Sequence, residues 1–449
     1  MTRDSVQGAL PQASVAESLA VLTDVLIPNV AKGVLIRRPR IVGMAERLGL
    51  DRRAVQRLQQ LNEKYGRGPL MLQVPGEKTM ALVLDPDHVN RVLDQSPAPF
   101  ATAEQAKRSA LAHFEPDMAL VSHGRERAER RRFNEAVLHS ECPVHGLGER
   151  FVTVAREEVD ELLHATRQQG DTLDWAAFFE TWSRVVRRVV LGDTARDDHA
   201  LTEALGKLRA AGNWGFMHPG RDRLRDALHE RLRRYLKRAE PGSLAAEVAR
   251  VPISETTQPG HQVTQWLFAF DPAGMATFRT LALLAAHPEA ARRARREAAS
   301  LERQTTPELP YLRACVLESL RLWPTTPMLL RQSTETTLWE NGAMPADTSL
   351  LILAPYFHRD ERHLASANRF DPDLWLKPEA AGAWPLIPFS GGSGICPGRR
   401  LVLLVTSTVL ASCLSRREFR LDPPSRLLSS KPMPPLLDNY ALRFRLDPH

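Results

Sequence analysis

A single cysteine at the end of a glycine-rich loop, directly before a long apolar run, is the feature that most restricts how this chain can fold. The loop, residues 389–398, reads Phe-Ser-Gly-Gly-Ser-Gly-Ile-Cys-Pro-Gly, and the run over 399–414 predicts a buried helix. A helix dipole with its free N–H groups favours a thiolate at Cys396, and the glycines let the backbone approach the sulfur. The loop therefore indicates either a soft sulfur ligand in a dry pocket or a buried structural cysteine.

The spacing within this loop resembles the cysteine loop of the cytochrome P450 superfamily, the haem-thiolate monooxygenases. Phe389, Gly392, Cys396 and Gly398 fall in register with the family pattern, whereas Gly394 stands where the family usually has a basic residue. The resemblance implies that Cys396 binds the iron of haem b and that the other matching residues form the loop around the cofactor. It also implies that haem binding depends more on basic residues elsewhere in the chain.

Composition and cysteine spacing exclude several other classes of protein. A charged fraction of 25% and an apolar fraction of 43% are ordinary for a folded chain. The four cysteines, at positions 142, 315, 396 and 413, form no C-x-x-C pair, so neither a zinc site nor a disulfide framework is indicated. The net charge of +7 has no nucleic-acid-binding motif beside it, and it fits a basic face for an acidic protein partner.

The N-terminal region predicts no membrane attachment. Residues 1–5 lack the order of a signal peptide, and charged and turn residues interrupt the apolar patches over 19–36. We therefore expect a soluble, cytoplasmic protein without a membrane partner. Because microsomal members of the family have an anchor, the resemblance is to the soluble bacterial type.

An arginine-crowded segment over residues 124–138 predicts a helix. Arg127 and Arg131 are four residues apart and share one face, where they present two charges to one anion, although a solvated basic face is the simpler interpretation. The corresponding helix of the family binds the haem propionates, which implies this role for Arg127 and Arg131. The rival registers are a slip of one residue to Arg130 or Arg132, and the pair His123 and Arg127.

A long apolar segment over residues 262–286 predicts a buried central helix rather than a membrane span. Its interruptions are Asp271, Pro272 and Arg279. Ala273 and Gly274 lie one turn before Thr277, which leaves room for something flat and for water or dioxygen. Ordinary helix packing against small residues is the alternative.

The same segment resembles the central helix of the family at one essential position and departs from it at another. Thr277 matches the family threonine, which implies a hydrogen bond to dioxygen or to a water that relays protons to it. Ala276 replaces the family's acidic residue, and Asp271 lies well off the face of Thr277. The resemblance further implies that Ala273 and Gly274 line the haem.

Glu318 and Arg321 form an i,i+3 pair in a helix predicted over residues 307–322. Leucine and tryptophan neighbours indicate that the pair is buried, where its groups must be fully hydrogen-bonded. The resemblance implies that the pair is the family's structural Glu-x-x-Arg. It implies a third arginine, Arg369, from the sequence Asn-Arg-Phe.

Short β-rich runs are predicted near residues 70–85, as a hairpin, at 349–353 and at 441–446. The resemblance implies that Arg331 is another propionate donor and that the aromatic loop over 212–220 is a mobile lid. By position it implies substrate contacts at Phe268, Ala273, Gly274, Met328, Leu329 and Met433.

The resemblance covers nearly the whole chain and implies a mainly α fold with minor β. It implies a single domain over residues 1–449, with haem between the central helix and the cysteine loop and without a fused flavin or iron–sulfur domain. The implied activity is hydroxylation or a related oxidation of a mainly apolar small molecule, with electrons from a separate ferredoxin and its reductase. The missing acid favours, as alternatives, a peroxide user or an enzyme of coupling or rearrangement. A non-catalytic haem or ligand-binding protein is the third hypothesis.

Overall fold

The computed structural model describes residues 8–73, 79–112, 114–215, 220–302, 304–306, 308–377 and 384–447. Within them the chain is mostly helical. The helices are α1 (Val15–Val21), α2 (Ile27–Ala31), α3 (Pro39–Leu48), α4 (Leu50–Tyr65), α5 (Pro86–Asp94), α6 (Gln105–Leu111), α7 (Gly124–Val137), α8 (Gly148–Gln168), α9 (Trp175–Leu191), α10 (His199–Gly212), α11 (Asp222–Arg238), α12 (Leu244–Val248), α13 (Pro259–Ala286), α14 (Pro288–Ala298), α15 (Pro310–Leu322), α16 (Ala354–His358), α17 (Asp373–Leu376) and α18 (Arg399–Leu414).

The strands are short and belong to three sheets within the described residues. They are β1 (Leu70–Leu72), β2 (Met80–Leu82), β3 (Phe100–Ala101), β4 (Thr172–Asp174), β5 (Met328–Ser333), β6 (Thr337–Trp339), β7 (Gly342–Met344), β8 (Ser349–Leu353), β9 (Glu418–Leu421) and β10 (Arg443–Asp447). The largest sheet has the order β1-β2-β8-β5-β3, in which β2 and β8 are parallel and the other pairs antiparallel.

The predicted central helix is confirmed as α13, which packs against α9, α15 and α18. Its residues from Ala273 to Leu284 are buried on all sides, as expected for a helix inside a large core. The helix continues through Pro272, and the nearby carbonyl of Phe270 accepts a hydrogen bond from the indole of Trp182 at 2.9 Å. This hydrogen bond joins α9 to α13 next to the proline.

The helix after the cysteine loop is also confirmed, since α18 begins at Arg399 and ends at Leu414. The helix predicted over 307–322 begins at Pro310 instead, because a proline suits the first helical turn. Together α8, α13, α15 and α18 form the main apolar core, and a second core lies around the largest sheet.

The predicted hairpin near residues 70–85 is confirmed, with Leu70 opposite Leu82, although residues 74–78 at its turn lie outside the described part. The prediction at 349–353 is confirmed as β8. The last strand is Arg443–Asp447, one to two residues later than predicted, where it pairs with both β4 and β9.

Two further predictions from the sequence concern the lid and the membrane. The predicted lid over residues 212–220 falls partly outside the described residues, which lack 216–219. Among the helices in the described part of the chain, none is both long enough and apolar enough to cross a bilayer.

Candidate active site

The cysteine loop has a compact backbone that brings Cys396 to the start of α18. The N–H of Cys396 donates to the carbonyl of Phe389 at 3.0 Å, and the N–H of Val402 donates to the carbonyl of Gly398 at 2.8 Å. Gly392 has φ +53°, and a Cβ there would lie 2.0 Å from the backbone oxygen of Leu93. Only glycine can therefore fill this turn.

The thiol of Cys396 differs from the sequence-based expectation of a readily formed thiolate. Although the residue is only half-buried by surface area, its sulfur lies deep enough that burial raises the pKa of Cys396. The N–H of Gly398 and the charges of Arg131 and Arg399 act in the opposite direction. Burial therefore disfavours the thiolate more than the helix dipole and the N–H donor favour it. A metal ion at the sulfur would supply the missing stabilisation of the thiolate.

Two arginines of α7 reach the cysteine loop from one face of the helix. Arg127 donates from Nη2 to the carbonyl of Ser393 at 3.0 Å and from Nε to Thr102 Oγ1 at 3.2 Å. Arg131 donates from Nη1 to the carbonyl of Ile395 at 2.7 Å. The i,i+4 spacing thus brings both side chains to the loop.

The rival arginine registers point elsewhere. Arg130 donates to Thr256 and Ser122 and pairs with Asp117 at 3.1 Å. Arg132 is exposed and pairs with Glu129, while His123 lies beside Arg108. None of these residues makes a hydrogen bond with the cysteine loop in the described part of the chain.

Arg331, on β5, approaches the same loop from the sheet. Its Nη2 donates to Ser390 Oγ at 3.0 Å and its Nε to Ser96 Oγ at 3.1 Å. A Cβ added to Gly394 would lie 2.6 Å from Arg331 Nη2. The guanidinium therefore occupies the space that a basic side chain at position 394 would enter.

The sequence interpretation missed a fourth cation, Lys107 on α6. Its Nζ donates to the carbonyl of Thr102 at 2.7 Å and to that of Leu330 at 3.2 Å. Burial, aided by the charge of Arg331, lowers the pKa of Lys107 to about 7. No motif marks this lysine, because only the fold brings α6 next to β5.

Two of the arginines at the loop lack a carboxylate partner within the described residues. Neither Arg127 nor Arg331 forms a salt bridge there, whereas Arg131 is paired with Glu135. Burial, together with the charge of Arg127, lowers the pKa of Arg331 to about 10. Clustered buried cations are unfavourable unless an anion joins them. The two propionates of a haem bound at Cys396 would supply acceptors and charge that fit this pair.

On α13, Thr277 is almost completely buried and donates from Oγ1 to the carbonyl of Ala273 at 2.8 Å. Gly274 lies against α9, where an added Cβ would be 2.8 Å from the ring of Trp182. The missing side chain at Gly274 is thus explained by contact between the two helices. Its assignment to the haem or substrate pocket stays a prediction, as does that of Ala273.

The more accessible positions on α13 lie one turn earlier. Ala269 is exposed and Pro272 half-buried, whereas the helix from Ala273 to Leu284 is buried. Phe268 is half-buried, packs edge-on against Phe114 with ring centroids 5.7 Å apart, and lies under the guanidinium of Arg209. Arg209 also pairs with Asp271, which is consistent with the prediction that Asp271 lies off the face of Thr277.

The other predicted substrate residues are not all brought together. Leu329 alternates with Arg331 on one face of β5, so it points to the same side, whereas Met328 lies on the opposite face. Met433 is buried, its N–H donates to Asn368 at 2.8 Å, and its carbonyl accepts from Arg359 at 2.8 Å. These contacts account for the position of Met433 without a substrate.

The pair Glu318 and Arg321 is fully buried and bidentate, with N–O distances of 2.7 and 2.6 Å. The third arginine differs from expectation, since the side chain of Arg369 is exposed and only its carbonyl accepts from Arg321, at 2.9 Å. The indole of Trp375 takes the remaining space and donates to Glu318 at 2.9 Å.

Known proteins resemble this chain in sequence and in fold. A sequence model described as "Cytochrome P450" matches residues 38–210 and 262–438. A cyclooctat-9-en-7-ol 5-monooxygenase from Streptomyces melanosporofaciens is 32% identical over 223 residues, which cover 46% of this chain and 48% of that protein. A ferruginol synthase from Salvia pomifera is 36% identical over 122 residues, 26% of this chain and 27% of that protein. The matched part thus spans less than half the length of these curated relatives.

Among solved structures, the crystal structure of a cytochrome P450 named CYP102L1 superposes with a TM-score of 0.73 at 18% identity. The match covers 99% of this chain and 100% of that chain. A retinoic-acid-bound cyanobacterial CYP120A1 superposes with a TM-score of 0.68 at 19% identity, covering 87% of this chain and 94% of that one. The similarity to both structures is one of fold.

Proposed function

The chain belongs to the cytochrome P450 family, and we propose that it is a haem-thiolate monooxygenase that oxidises a mainly apolar small molecule. The observation that carries this proposal is the pair of buried arginines, Arg127 and Arg331, which donate to the loop of Cys396 and form no salt bridge in the described residues. Arg131 also donates to the loop, although Glu135 is its ion-pair partner. An anion with two acidic groups close to a sulfur ligand would fit this set. Haem b has such groups, and the arginines would hold its propionates while Cys396 would bind its iron.

When bound, haem with a thiolate ligand supplies dioxygen activation and oxygen insertion into C–H bonds. The protein residues hold and orient the participants. Arg127, Arg131 and Arg331 bind the propionates through charge-assisted hydrogen bonds. The backbone of Phe389, Gly392 and Gly398 fixes the sulfur position, while Lys107 adds charge at the edge of the site.

Proton delivery depends on Thr277, since Ala276 replaces the acidic neighbour found in the family. The Thr277 hydroxyl can exchange its bond to the carbonyl of Ala273 for one to a water in the pocket. Asp271 is not a substitute because it is paired with Arg209. We propose that Thr277 and water transfer the proton.

The substrate contacts the wall of α13 and the adjacent strand. We propose that Phe268, Ala269 and Ala273 on the helix, with Leu329 on β5, form an apolar surface for it. The relative from Streptomyces is named for a cyclic alcohol substrate, and a compact apolar molecule of that kind suits such a surface. Electrons come from a separate ferredoxin and its reductase in the cytoplasm.

The ferrous carbonyl absorption spectrum tests the cofactor assignment directly. Purified wild-type protein should bind haem and give the long-wavelength Soret band of a thiolate ligand. The Cys396→Ser variant should lose that band, and Cys413→Ser, which changes a buried cysteine in α18, should keep it. Protein that takes up no haem, or a histidine-type spectrum in the wild type, would refute the proposal.

A second candidate is a peroxide-dependent haem-thiolate enzyme, which the absence of an acid at position 276 favours. Thr277→Val and Thr280→Val distinguish the two, because both hydroxyls are buried and both donate to the carbonyl four residues earlier at 2.8 Å. A monooxygenase should lose product per NAD(P)H only in Thr277→Val. Equal turnover of both variants with hydrogen peroxide alone, matching the ferredoxin-supported rate, would favour the peroxide user.

A further inference from the structure

Three side chains from separate segments meet at a point that shares no residue with the cysteine-loop site. They are Glu115, four residues after the end of α6, His229 of α11 and His261 in the first turns of α13. One ligand atom from each lies within 4.8 Å of the other two. Glu115 Oε2 is 2.6 Å from His261 Nδ1, and Glu115 Oε1 is 3.4 Å from His229 Nε2.

These facing atoms are buried and lack hydrogen bonds. Glu115 is completely buried, and neither of its carboxylate oxygens has a hydrogen-bond partner of good geometry in the described residues. The same is true of His229 Nε2 and His261 Nδ1. The short approach of His261 to Glu115 is therefore a contact whose N–H direction misses the oxygen. Buried polar atoms are normally satisfied, and four unsatisfied ones facing each other indicate a missing partner.

Glu115 is completely buried, and a carboxylate without hydrogen bonds is unfavourable in such a position. A cation among the three side chains would remove this penalty. The two imidazoles, whose ring centroids are 4.4 Å apart, would bind such an ion through their neutral forms.

Asp117 lies near His261 without a hydrogen bond to it. His261 Nε2 is 3.7 Å from Asp117 Oδ2, which is beyond hydrogen-bond distance, and Asp117 Oδ1 accepts from Arg130 Nη2 at 3.1 Å. Asp117 therefore contributes negative charge near the cluster and does not fix the tautomer of His261.

We propose that Glu115, His229 and His261 form a zinc site, with water as the fourth ligand. Two histidines and one carboxylate are a ligand set that zinc accepts with one open position. Ligand atoms about 2.0–2.2 Å from a tetrahedral zinc are about 3.3 Å from one another. The separations of 2.6 and 3.4 Å in the structure need shifts of less than about 1 Å to match.

The zinc would join three segments that are far apart in the sequence. Glu115 belongs to the connection between α6 and α7, His229 to α11, and His261 to the start of α13. Phe114, next to Glu115, packs edge-on against Phe268 of the proposed substrate wall. Zinc would therefore tie α11 and the connection between α6 and α7 to the start of α13, and it would keep Phe114 in contact with Phe268.

Zinc binding to the purified chain of 449 residues, with or without haem, tests the site without measuring activity. After treatment with a chelator, isothermal titration with zinc chloride should give a single strong site per chain, and zinc should raise the unfolding temperature. His229→Ala and His261→Ala should each abolish that site. His199→Ala, which removes an exposed histidine beside Glu180, should leave it unchanged.

A crystal soaked in zinc provides a measurement that needs no variant. Anomalous scattering should locate the ion between Glu115, His229 and His261. An ion bound only at surface histidines would overturn the proposal, as would unchanged zinc affinity in the folded His229→Ala protein. Failure of the haem assignment would not affect this result, because none of the three ligands belongs to the cysteine-loop site.

Discussion

At the residue scale, Gly394 and Arg331 explain how this chain departs from the family pattern without losing positive charge at the loop. The family residue at position 394 is usually basic, and the sequence alone indicates a lost donor. In the folded chain, Arg331 Nη2 lies where the first atom of that side chain would stand. The guanidinium of Arg331 therefore fills the space that a basic side chain at position 394 would occupy. This replacement depends on contact between β5 and the loop, so it cannot be predicted from the sequence of either segment alone.

The variant Gly394→Arg tests whether Arg331 occupies the space of the family's basic side chain. The new side chain should displace Arg331 and speed haem loss about 10-fold or more, corresponding to one charge-assisted hydrogen bond of about 1.5–3 kcal/mol. In an Arg331→Ala background the same change should slow haem loss, because the space is then free. Transfer of haem to apomyoglobin gives the rates. A single Gly394→Arg variant that retains haem better than wild type would contradict the argument.

Residues placed by helical spacing were well predicted, and residues placed by tertiary contact were not. Arg127 and Arg131 needed only the i,i+4 rule to share a face. Arg369 was expected beside Glu318, but the aromatic ring of Trp375 reaches that carboxylate instead and leaves the arginine in solvent. Lys107 was missed for a related reason, since its partners come from distant parts of the chain.

At the element scale, the contact between α9 and α13 depends on a glycine. A Cβ at Gly274 would lie 2.8 Å from the Trp182 ring, so Gly274→Ala should destabilise the protein by about 1–3 kcal/mol through overpacking. Gly206→Ala, within α10, meets nothing within 4 Å and should stabilise by about 0.5–1 kcal/mol through its better helix propensity. Unfolding temperatures of both variants give the comparison. Similar values for the two would remove the packing explanation.

The anchoring of α15 provides a second test at this scale. Glu318 accepts four hydrogen bonds, two from Arg321, one from the N–H of Asp371 and one from Trp375. Glu318→Gln leaves buried donors without an acceptor and should cost about 3–5 kcal/mol of unfolding free energy. The surface pair of Glu289 and Arg292 has the same i,i+3 spacing but is exposed, so Glu289→Gln should cost less than about 0.5 kcal/mol. Equal losses in urea titrations would show that burial does not determine the effect.

The sequence predicted elements better than their boundaries. Long apolar runs marked α13 and α18, because helices buried on every side have few polar positions. The strand near the C-terminus was placed early by one to two residues, since its register depends on pairing with β4 and β9 rather than on its own pattern. The exposure of Ala269 was missed because an alanine gives no signal of exposure within an apolar helix.

At the scale of the whole molecule, part of the excess positive charge behind the net charge of +7 lies beside the cysteine loop. Arg399 is exposed at the first residue of α18, directly after the cysteine loop, and its charge acts on the sulfur of Cys396. Arg125 is exposed on α7, the helix that supplies two arginines to the loop, whereas the exposed Arg132 is paired with Glu129. An acidic electron-transfer protein attracted to these residues would approach the sulfur side of the haem by the shortest route.

Charge reversal at Arg399 tests this docking face. Arg399→Glu should lower kcat/KM for ferredoxin about 10-fold at low ionic strength, because steering mainly affects the association rate. Arg234→Glu is the matched control, since Arg234 is exposed on α11 and the change in net charge is the same. The difference between the variants should disappear near 1 M salt, where screening reduces the Debye length to about 3 Å. KM for the organic substrate should not change in either variant. Equal slowing by Arg234→Glu would mean that total charge, rather than a basic face beside Cys396, attracts the partner.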